Sequence, residues 1–374
     1  MIKVLHAVPD MNSGGIENYI MNMYRIIDRD TVHFDFLVHH NSRGFFDDEI
    51  EELGGRIYRL PVLDNKNVIS YWHELKRLYS GNKWDVVHGH AASLAGLYLF
   101  AAENAGVRAR IAHSHGASYL RTPKGYTKKL LFKTAGIHAN IRLACSTEAG
   151  KYLFGDRQFY LAKNAIDSER FSFNQDDRDR IRRSLGIVPG QLLVGHMGRF
   201  NLQKNHQFLI EIFEEIVRLK PDSCLLLVGT GELEDSIRNL VSSKGLNGKV
   251  IFQSVTDEPQ AYYSAMDAFV LPSLFEGLPL VGIEAQCSGL PSYFSSEITK
   301  EVVISDITEF LDLNAGPVAW AQQIVGASSC INRRAYADCA AIHGFDFRDN
   351  TKKMTDFYLA AATGRFESIG SILD

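Results

Sequence analysis

The feature that most constrains this 374-residue chain is an alternation that occurs twice: short β-branched or apolar runs separated by helical patterns of about a dozen residues. In the first series the runs fall at 2–8, 34–38, 56–60, 85–88, 110–113, 143–145 and 160–162; in the second they fall at 192–197, 223–228, 249–253, 268–271 and 292–294. Strands that alternate with helices join by right-handed crossovers and pair in parallel, so the chain is expected to be α/β, with two doubly wound parallel-sheet domains. Between the series, 164–190 is rich in Asp and Arg and holds a helical segment at 177–185 but little that suits a core strand. The boundary is placed at 164–166, giving domains 1–165 and 166–345. No repeat at a period of 20 to 50 residues and no low-complexity tract argues for a solenoid or a linker array.

Composition closes off other classes. The length suits two domains of ordinary size, and 45% apolar with 22% charged residues excludes general disorder. The longest apolar run, 94–102, falls far short of the roughly 18 residues that span a bilayer. The first residues enter a β-like run and reach Pro9-Asp10 without a signal-peptide core, so a cytoplasmic location is expected. Cys145, Cys224, Cys287, Cys330 and Cys339 are scattered and show no CxxC spacing; they read as small buried hydrophobes. The net charge of −4 hides an asymmetry: residues 1–163 hold 21 Lys+Arg against 16 Asp+Glu, and the remainder 19 against 28. With one short basic cluster in an acidic chain, nucleic acid is a poor partner.

In open parallel sheets ligands bind beyond the C-terminal strand ends, so the residues after each run carry the search for chemistry. After the first run stand Asn12-Ser13-Gly14-Gly15-Ile16-Glu17, where two glycines allow close backbone approach and the helix start offers N–H groups to an anion. The full GxGxxG pattern is missing, which argues against a nicotinamide domain and leaves a plain strand-to-helix turn as the competing reading. His88, His90, His113 and His115 follow two consecutive strands at period-2 spacing, so pairs share a face. They suggest a surface that hydrogen-bonds hydroxyl groups, with one imidazole able to handle a proton; a metal site, or buried and satisfied rings at His88 and His113, are the alternatives.

The run 192–197 leads into Gly198-Arg199-Phe200-Asn201-Leu202-Gln203-Lys204. A planar guanidinium and a mobile ammonium at a ligand-facing strand end suit a diphosphate whose charge grows as it departs. After 268–271 comes PSLFEGLPLVGIEA, with Glu276 on a loop and Glu284, eight positions on, in the following helix. Both carboxylates can accept from sugar hydroxyls while the helix start meets an anion. A glycosidase acid pair is the rival, disfavoured by the wealth of N–H donors.

These segments resemble the retaining glycosyltransferases of family 4. The resemblance runs along most of the chain, through Gly14-Gly15 with Glu17, His115, Gly198-Arg199 with Lys204, Gly229-Thr230-Gly231, and the Glu276-to-Glu284 element followed by Gly289-Leu290-Pro291. The stretches NSGGIENYIMNMYR, RIAHSHG and FSSEITKEV are similar to bacterial exopolysaccharide and capsule enzymes, while Ser292-Tyr293-Phe294 departs from the family's small apolar run. The resemblance implies a GT-B fold, two Rossmann-like domains facing a central cleft, with the segment 346–374 returning to the first domain. It implies that Gly14 and Gly15 contact the donor, that Arg199 and Lys204 stabilise the leaving nucleoside diphosphate, and that Glu276 holds sugar hydroxyls. The backbone of Gly277, Leu278, Pro279 and Leu280 would help Glu276, and Glu284 would take the ribose. His115 would lie near sugar and acceptor, Gly229 and Glu232 would border the nucleotide, and Val255 would pack near the base. No cofactor and no metal are implied, and the Asp28-Arg29-Asp30 and Asp177-Arg178-Asp179 triplets fall in helical or linker stretches rather than in a metal-binding DxD loop.

The expected reaction is transfer from a nucleotide-diphosphate sugar, a UDP-sugar, to a glycan or lipid-linked acceptor, with front-face substitution assisted by the leaving phosphate. A nucleotide-sugar epimerase of the same fold and a non-catalytic nucleotide-sugar-binding subunit are the alternatives. Within 119–133, Arg121, Lys124, Lys128, Lys129 and Lys133 stand among Tyr126, Leu130, Leu131 and Phe132 with no acid. Such a segment suits the anionic inner face of a membrane or an acceptor-lining helix.

Overall fold

The computed structural model describes every residue except 13, 65, 91–93, 117–133, 135, 327–330 and 374. Arg121, Lys124, Lys128, Lys129 and Lys133, and Cys330, therefore lie outside the described residues. The chain divides into two compact units, Met1–Ala165 with Phe347–Asp374, and Ile166–Asp346.

The first unit is built on a seven-stranded sheet of β1 (Ile2–Val8), β2 (Val32–Val38), β3 (Ile57–Arg59), β4 (Val86–Gly89), β5 (Ala109–Ser114), β6 (Ile141–Ala144) and β7 (Tyr160–Leu161). Its order is β3-β2-β1-β4-β5-β6-β7 and every pairing is parallel. The second unit repeats the plan with β8 (Leu193–Met197), β9 (Cys224–Val228), β10 (Val250–Gln253), β11 (Ala268–Leu271), β12 (Ser292–Ser295) and β13 (Thr308–Leu311), in the order β10-β9-β8-β11-β12-β13, again all parallel.

Each order reverses direction once, between β1 and β4 and between β8 and β11. At such a point the loops after the two adjacent strands diverge to opposite faces and leave a crevice. The central strands are buried along their whole length, as in β8, β9 and β11, which is why they read as continuous apolar runs. β13 is the strand that the sequence pattern missed: Thr-Glu-Phe-Leu sits at the sheet edge, mostly half-buried, and carries no apolar run to betray it.

The helix Phe347–Thr363 belongs to the first unit, where it buries Met354, Phe357, Tyr358 and Ala361 in the same core as Val4, Phe34, Phe36 and Ile111. A fully buried Phe represents about 2–3 kcal/mol of apolar transfer, so this segment is a structural part of the first unit rather than an appendage. In β12, Tyr293 packs into the second core and Phe294 meets the rings of Phe269 and Phe310 edge-on, which accommodates the bulky Ser292-Tyr293-Phe294 run. Cys145, Cys224, Cys287 and Cys339 are buried free thiols.

Candidate active site

In the second unit the loops after β8 and β11, one on each side of the direction change, are joined by their own hydrogen bonds. The Leu274 amide donates to the Gln203 carbonyl at 2.9 Å, the Gln203 side chain donates to the Phe275 carbonyl at 3.0 Å, and Asn205 donates to the Pro272 carbonyl at 3.1 Å. Asn205 adopts the left-handed conformation, φ 55°, at the start of the helix His206–Leu219, a backbone state that Asn tolerates better than most residues.

This frame brings Lys204 and Glu276 together: Lys204 Nζ donates to Glu276 Oε1 at 2.6 Å, and Gln203 Nε2 donates to Oε2 at 2.9 Å. Glu276 is 8% exposed, so its charge is compensated at both oxygens. Gln203 was not among the candidates read from the sequence; its identity carries no signal until the two loops are docked.

Pro279 precedes the helix Leu280–Cys287 as its cap, and no side chain caps that helix. Its first N–H groups have no acceptor within the helix, and Pro279 has no N–H to offer, so the expected help from the backbone of 277–280 cannot come from Pro279. Within the helix, Glu284 accepts a 2.8 Å hydrogen bond from the hydroxyl of buried Tyr263. Burial raises the Glu284 carboxyl from the ordinary range to about 7, with the Tyr263 hydrogen bond pulling the other way. Tyr263 is a second residue that sequence reasoning missed.

Arg199 is open to solvent, 74% exposed, with Nε 3.4 Å from Glu232 Oε2. It is not part of the buried pair that Lys204 makes. Gly229, at φ +145°, has a backbone reason for its identity, because a Cβ there would overlap the Gly198 carbonyl. The loops after β8 and β9 thus run backbone on backbone, with Gly198 N donating to Val228 O at 3.0 Å and Phe200 N to Thr230 O at 3.0 Å. Val255 is exposed beyond β10.

In the first unit, Gly14 caps the helix Gly15–Ile26 without a side-chain hydrogen bond, and a Cβ on Gly15 would meet nothing within 4 Å. Packing does not demand glycine at 15, whereas a Cβ on Gly14 would meet the Glu17 carboxylate.

The structure gives His88 and His113 the buried alternative that the sequence allowed, and buries His90 with them. His88, His90 and His113 are buried, as is His6 of β1, which the sequence reading did not single out; only His115, after β5, is partly exposed. They form two rows. In one, His6 Nδ1 lies 3.1 Å from His90 Nε2, and His90 Nδ1 lies 2.8 Å from His115 Nε2. In the other, the Tyr358 hydroxyl is 2.7 Å from His88 Nδ1, and His88 Nε2 is 3.1 Å from His113 Nδ1. The rows face one another, His88 stacked on His90 with centroids 4.2 Å apart. Burial lowers all five imidazoles far below their ordinary range, to about 3 for His6 and His115, and neighbouring imidazoles reinforce this at His88, His90 and His113. One nitrogen each of His6, His88 and His90, and of His90, His113 and His115, lie within 4.8 Å of one another. These contacts already use both nitrogens of His88, to the Tyr358 hydroxyl and to His113, and both of His90, to His6 and His115, and stacked rings aim their in-plane lone pairs past each other, so neutral hydrogen-bonded rows fit better than a metal centre.

A doubly wound pair of units, each with polar loops at its direction change, defines the GT-B glycosyltransferase architecture. Residues 177–311 match the family model described as glycosyl transferases group 1, and residues 14–148 match the glycosyl transferase 4-like domain. EpsF of Bacillus subtilis (strain 168), named as a glycosyltransferase, is 32% identical over 95% of this chain and 96% of its own. The Escherichia coli UDP-Gal:alpha-D-GlcNAc-diphosphoundecaprenol alpha-1,3-galactosyltransferase is 31% identical over 63% of this chain and 62% of its own. Among solved structures, Anabaena Alr3699/HepE in complex with UDP-glucose aligns with TM-score 0.79 at 16% identity, covering 96% of this chain and 100% of that one. The chain belongs to the GT-B glycosyltransferases of family 4. No helix among the described residues is long and apolar enough to cross a membrane.

Proposed function

We propose that the chain transfers a hexosyl group from a UDP-sugar to a hydroxyl of a lipid-linked glycan, with retention of anomeric configuration, in building an exopolysaccharide or capsule. The observation that carries this reading is the Lys204–Glu276 pair, a compensated charge pair poised on loops at the sheet's direction change. The donor class is supported by HepE, solved with UDP and with UDP-glucose. The acceptor class is supported by the galactosyltransferase whose acceptor is a diphosphoundecaprenol, and the pathway by CapH of Staphylococcus aureus, a capsular polysaccharide biosynthesis enzyme 25% identical over 96% of this chain.

In this reading Lys204 and Arg199 stabilise the departing diphosphate, which is where negative charge develops. Glu276 accepts from hydroxyls of the transferred sugar, Glu284 from the ribose, and Gly14 and Gly15 leave room for the donor. The acceptor oxygen bonds to the anomeric carbon as the bond to the phosphate oxygen breaks, and the hydroxyl proton passes to that phosphate oxygen. No cofactor or metal enters the scheme. The basic stretch 119–133 attracts the anionic inner face of the membrane, where the acceptor is held.

The test is incubation of the purified chain with UDP-glucose, UDP-galactose or UDP-N-acetylglucosamine and a diphosphoundecaprenol-linked sugar, with and without EDTA. Mass spectrometry reads the product and NMR its anomeric configuration. A glycosylated lipid of retained configuration supports the reading. Isomerisation of the donor without acceptor, inversion, or abolition by EDTA overturns the corresponding part, and a failure to co-sediment with anionic liposomes, or co-sedimentation that depends on neither anionic lipid nor salt, overturns the electrostatic membrane contact.

A further inference from the structure

The row His6–His90–His115 has a property that neither the fold nor the donor site requires. Its three rings come from β1, from the residue after β4 and from the residue after β5, neighbours in the sheet, and each contact joins two imidazole nitrogens. A neutral imidazole carries one N–H, so it donates with one nitrogen and accepts with the other. If His115 donates from Nε2 to His90, then His90 must donate from Nε2 to His6, and His6 keeps its proton on Nε2. If instead His6 donates from Nδ1, then His90 and His115 carry theirs on Nδ1 as well. Only these two patterns leave both contacts hydrogen-bonded.

We propose that His90 and His6 are positioning residues for His115: the row shares one tautomer, so whether His115 Nδ1 donates or accepts is set two rings away. This rests on the proposed function, with His115 taken at the position where the resemblance implies contact with sugar and acceptor. In the all-Nε2–H pattern His115 Nδ1, buried in the unliganded chain, holds a lone pair; in the all-Nδ1–H pattern it holds a donor, and a ligand hydroxyl that reaches it meets one or the other. A ligand that needs one form shifts all three protons together and leaves every ring uncharged.

The surroundings suit a neutral row. His6 sits against Phe34 and Phe36, Tyr19 against His115, and His88 and His113 of the second row face His90. His6 Nε2 and His115 Nδ1, the two ends, are buried and have no hydrogen-bond partner among the described residues. Asn164, beside His115, favours its protonated ring, and the amide of an Asn can be turned to offer either a donor or an acceptor.

The experiment is long-range proton–nitrogen NMR on the full chain labelled with ¹⁵N-histidine at pH 7, with rings assigned by single His→Gln changes. The wild-type protein should show His6, His90 and His115 neutral and in the same tautomer; different tautomers overturn the proposal, and this needs no variant to fold. In His6→Phe, an aromatic replacement among Phe34 and Phe36, the His115 nitrogen shifts should move towards an averaged value. Transfer kcat should fall about tenfold at unchanged donor KM, with His6→Gln restoring part of it. His88→Phe, in the other row, should leave the His115 shifts where they are. His115 shifts in His6→Phe identical to wild type, or a stoichiometric zinc bound by the purified chain and lost in His90→Gln, overturn the assignment. Coupled tautomers in a chain that transfers no sugar would sink the proposed function while leaving the shared tautomer in place.

Discussion

Lys204 Nζ sits 2.6 Å from Glu276 Oε1, across two loops that are 72 residues apart in the chain and that share a sheet's direction change. The pair is compensated before any ligand arrives, and Gln203 holds the second carboxylate oxygen. On the proposed function, a donor entering here would exchange partners with an assembled group instead of ordering a mobile one, which is the economy of a preorganised site.

If Lys204 stabilises the departing diphosphate as proposed, Lys204→Ala should lower kcat by about 10²–10³ in a folded protein. The same change strands a buried carboxylate and should cost about 3 kcal/mol of stability. Adding Glu276→Ala should recover part of that stability and none of the activity. Steady-state kinetics with parallel urea unfolding measures both; full activity in Lys204→Ala removes the assignment.

Gly15→Ala separates ligand approach from packing. Nothing in the protein lies within 4 Å of the added Cβ, so the melting temperature should hold or rise slightly, as helix propensity favours Ala. Donor KM should nevertheless rise about tenfold if the donor comes close to this helix start. Unchanged KM would return the two glycines to a plain turn.

Glu284 gives a pH dependence with a defined sign. Its carboxyl titrates near 7 because burial penalises the charge. On the proposed function a ribose hydroxyl would donate to the ionised form, so donor affinity should strengthen as pH rises from 6 to 8 and level off above. Tyr263→Phe removes a bond that favours ionisation and should move the midpoint to higher pH; Glu284→Gln should flatten the profile. For stability the sign reverses: a carboxyl raised in the folded state destabilises as pH climbs from its unfolded value near 4.5 to about 7. Chemical unfolding across that window should show Glu284→Gln losing this slope.

Gly229→Ala forces a side chain into the Gly198 carbonyl at a φ of +145°. The two loops after β8 and β9 must part, at about 1–3 kcal/mol of backbone strain. Lower Tm together with weaker UDP binding by calorimetry is the expected pair of results. Weaker binding at wild-type Tm would mean that the glycine serves the ligand alone.

The sequence by itself determined the α/β class, the two parallel sheets and most of their strands, because a strand buried on both faces must be written as an unbroken apolar run and a crossover helix must separate it from the next. It also marked Lys204, Glu276 and Glu284 as candidates, since polar residues just past such runs fall at the ligand-facing edge. It did not mark β13, whose half-exposed edge position removes the apolar signature, nor Gln203, Tyr263 and His6, whose meaning depends on partners 73, 21 and 84 positions away. Only the tertiary structure decided that Lys204 meets Glu276 while Arg199 stands in solvent, and that of the two readings open for the histidines, burial holds at His88, His90 and His113. Local pattern records which face a residue turns to the core; strand order, set by long-range packing, decides what it finds there.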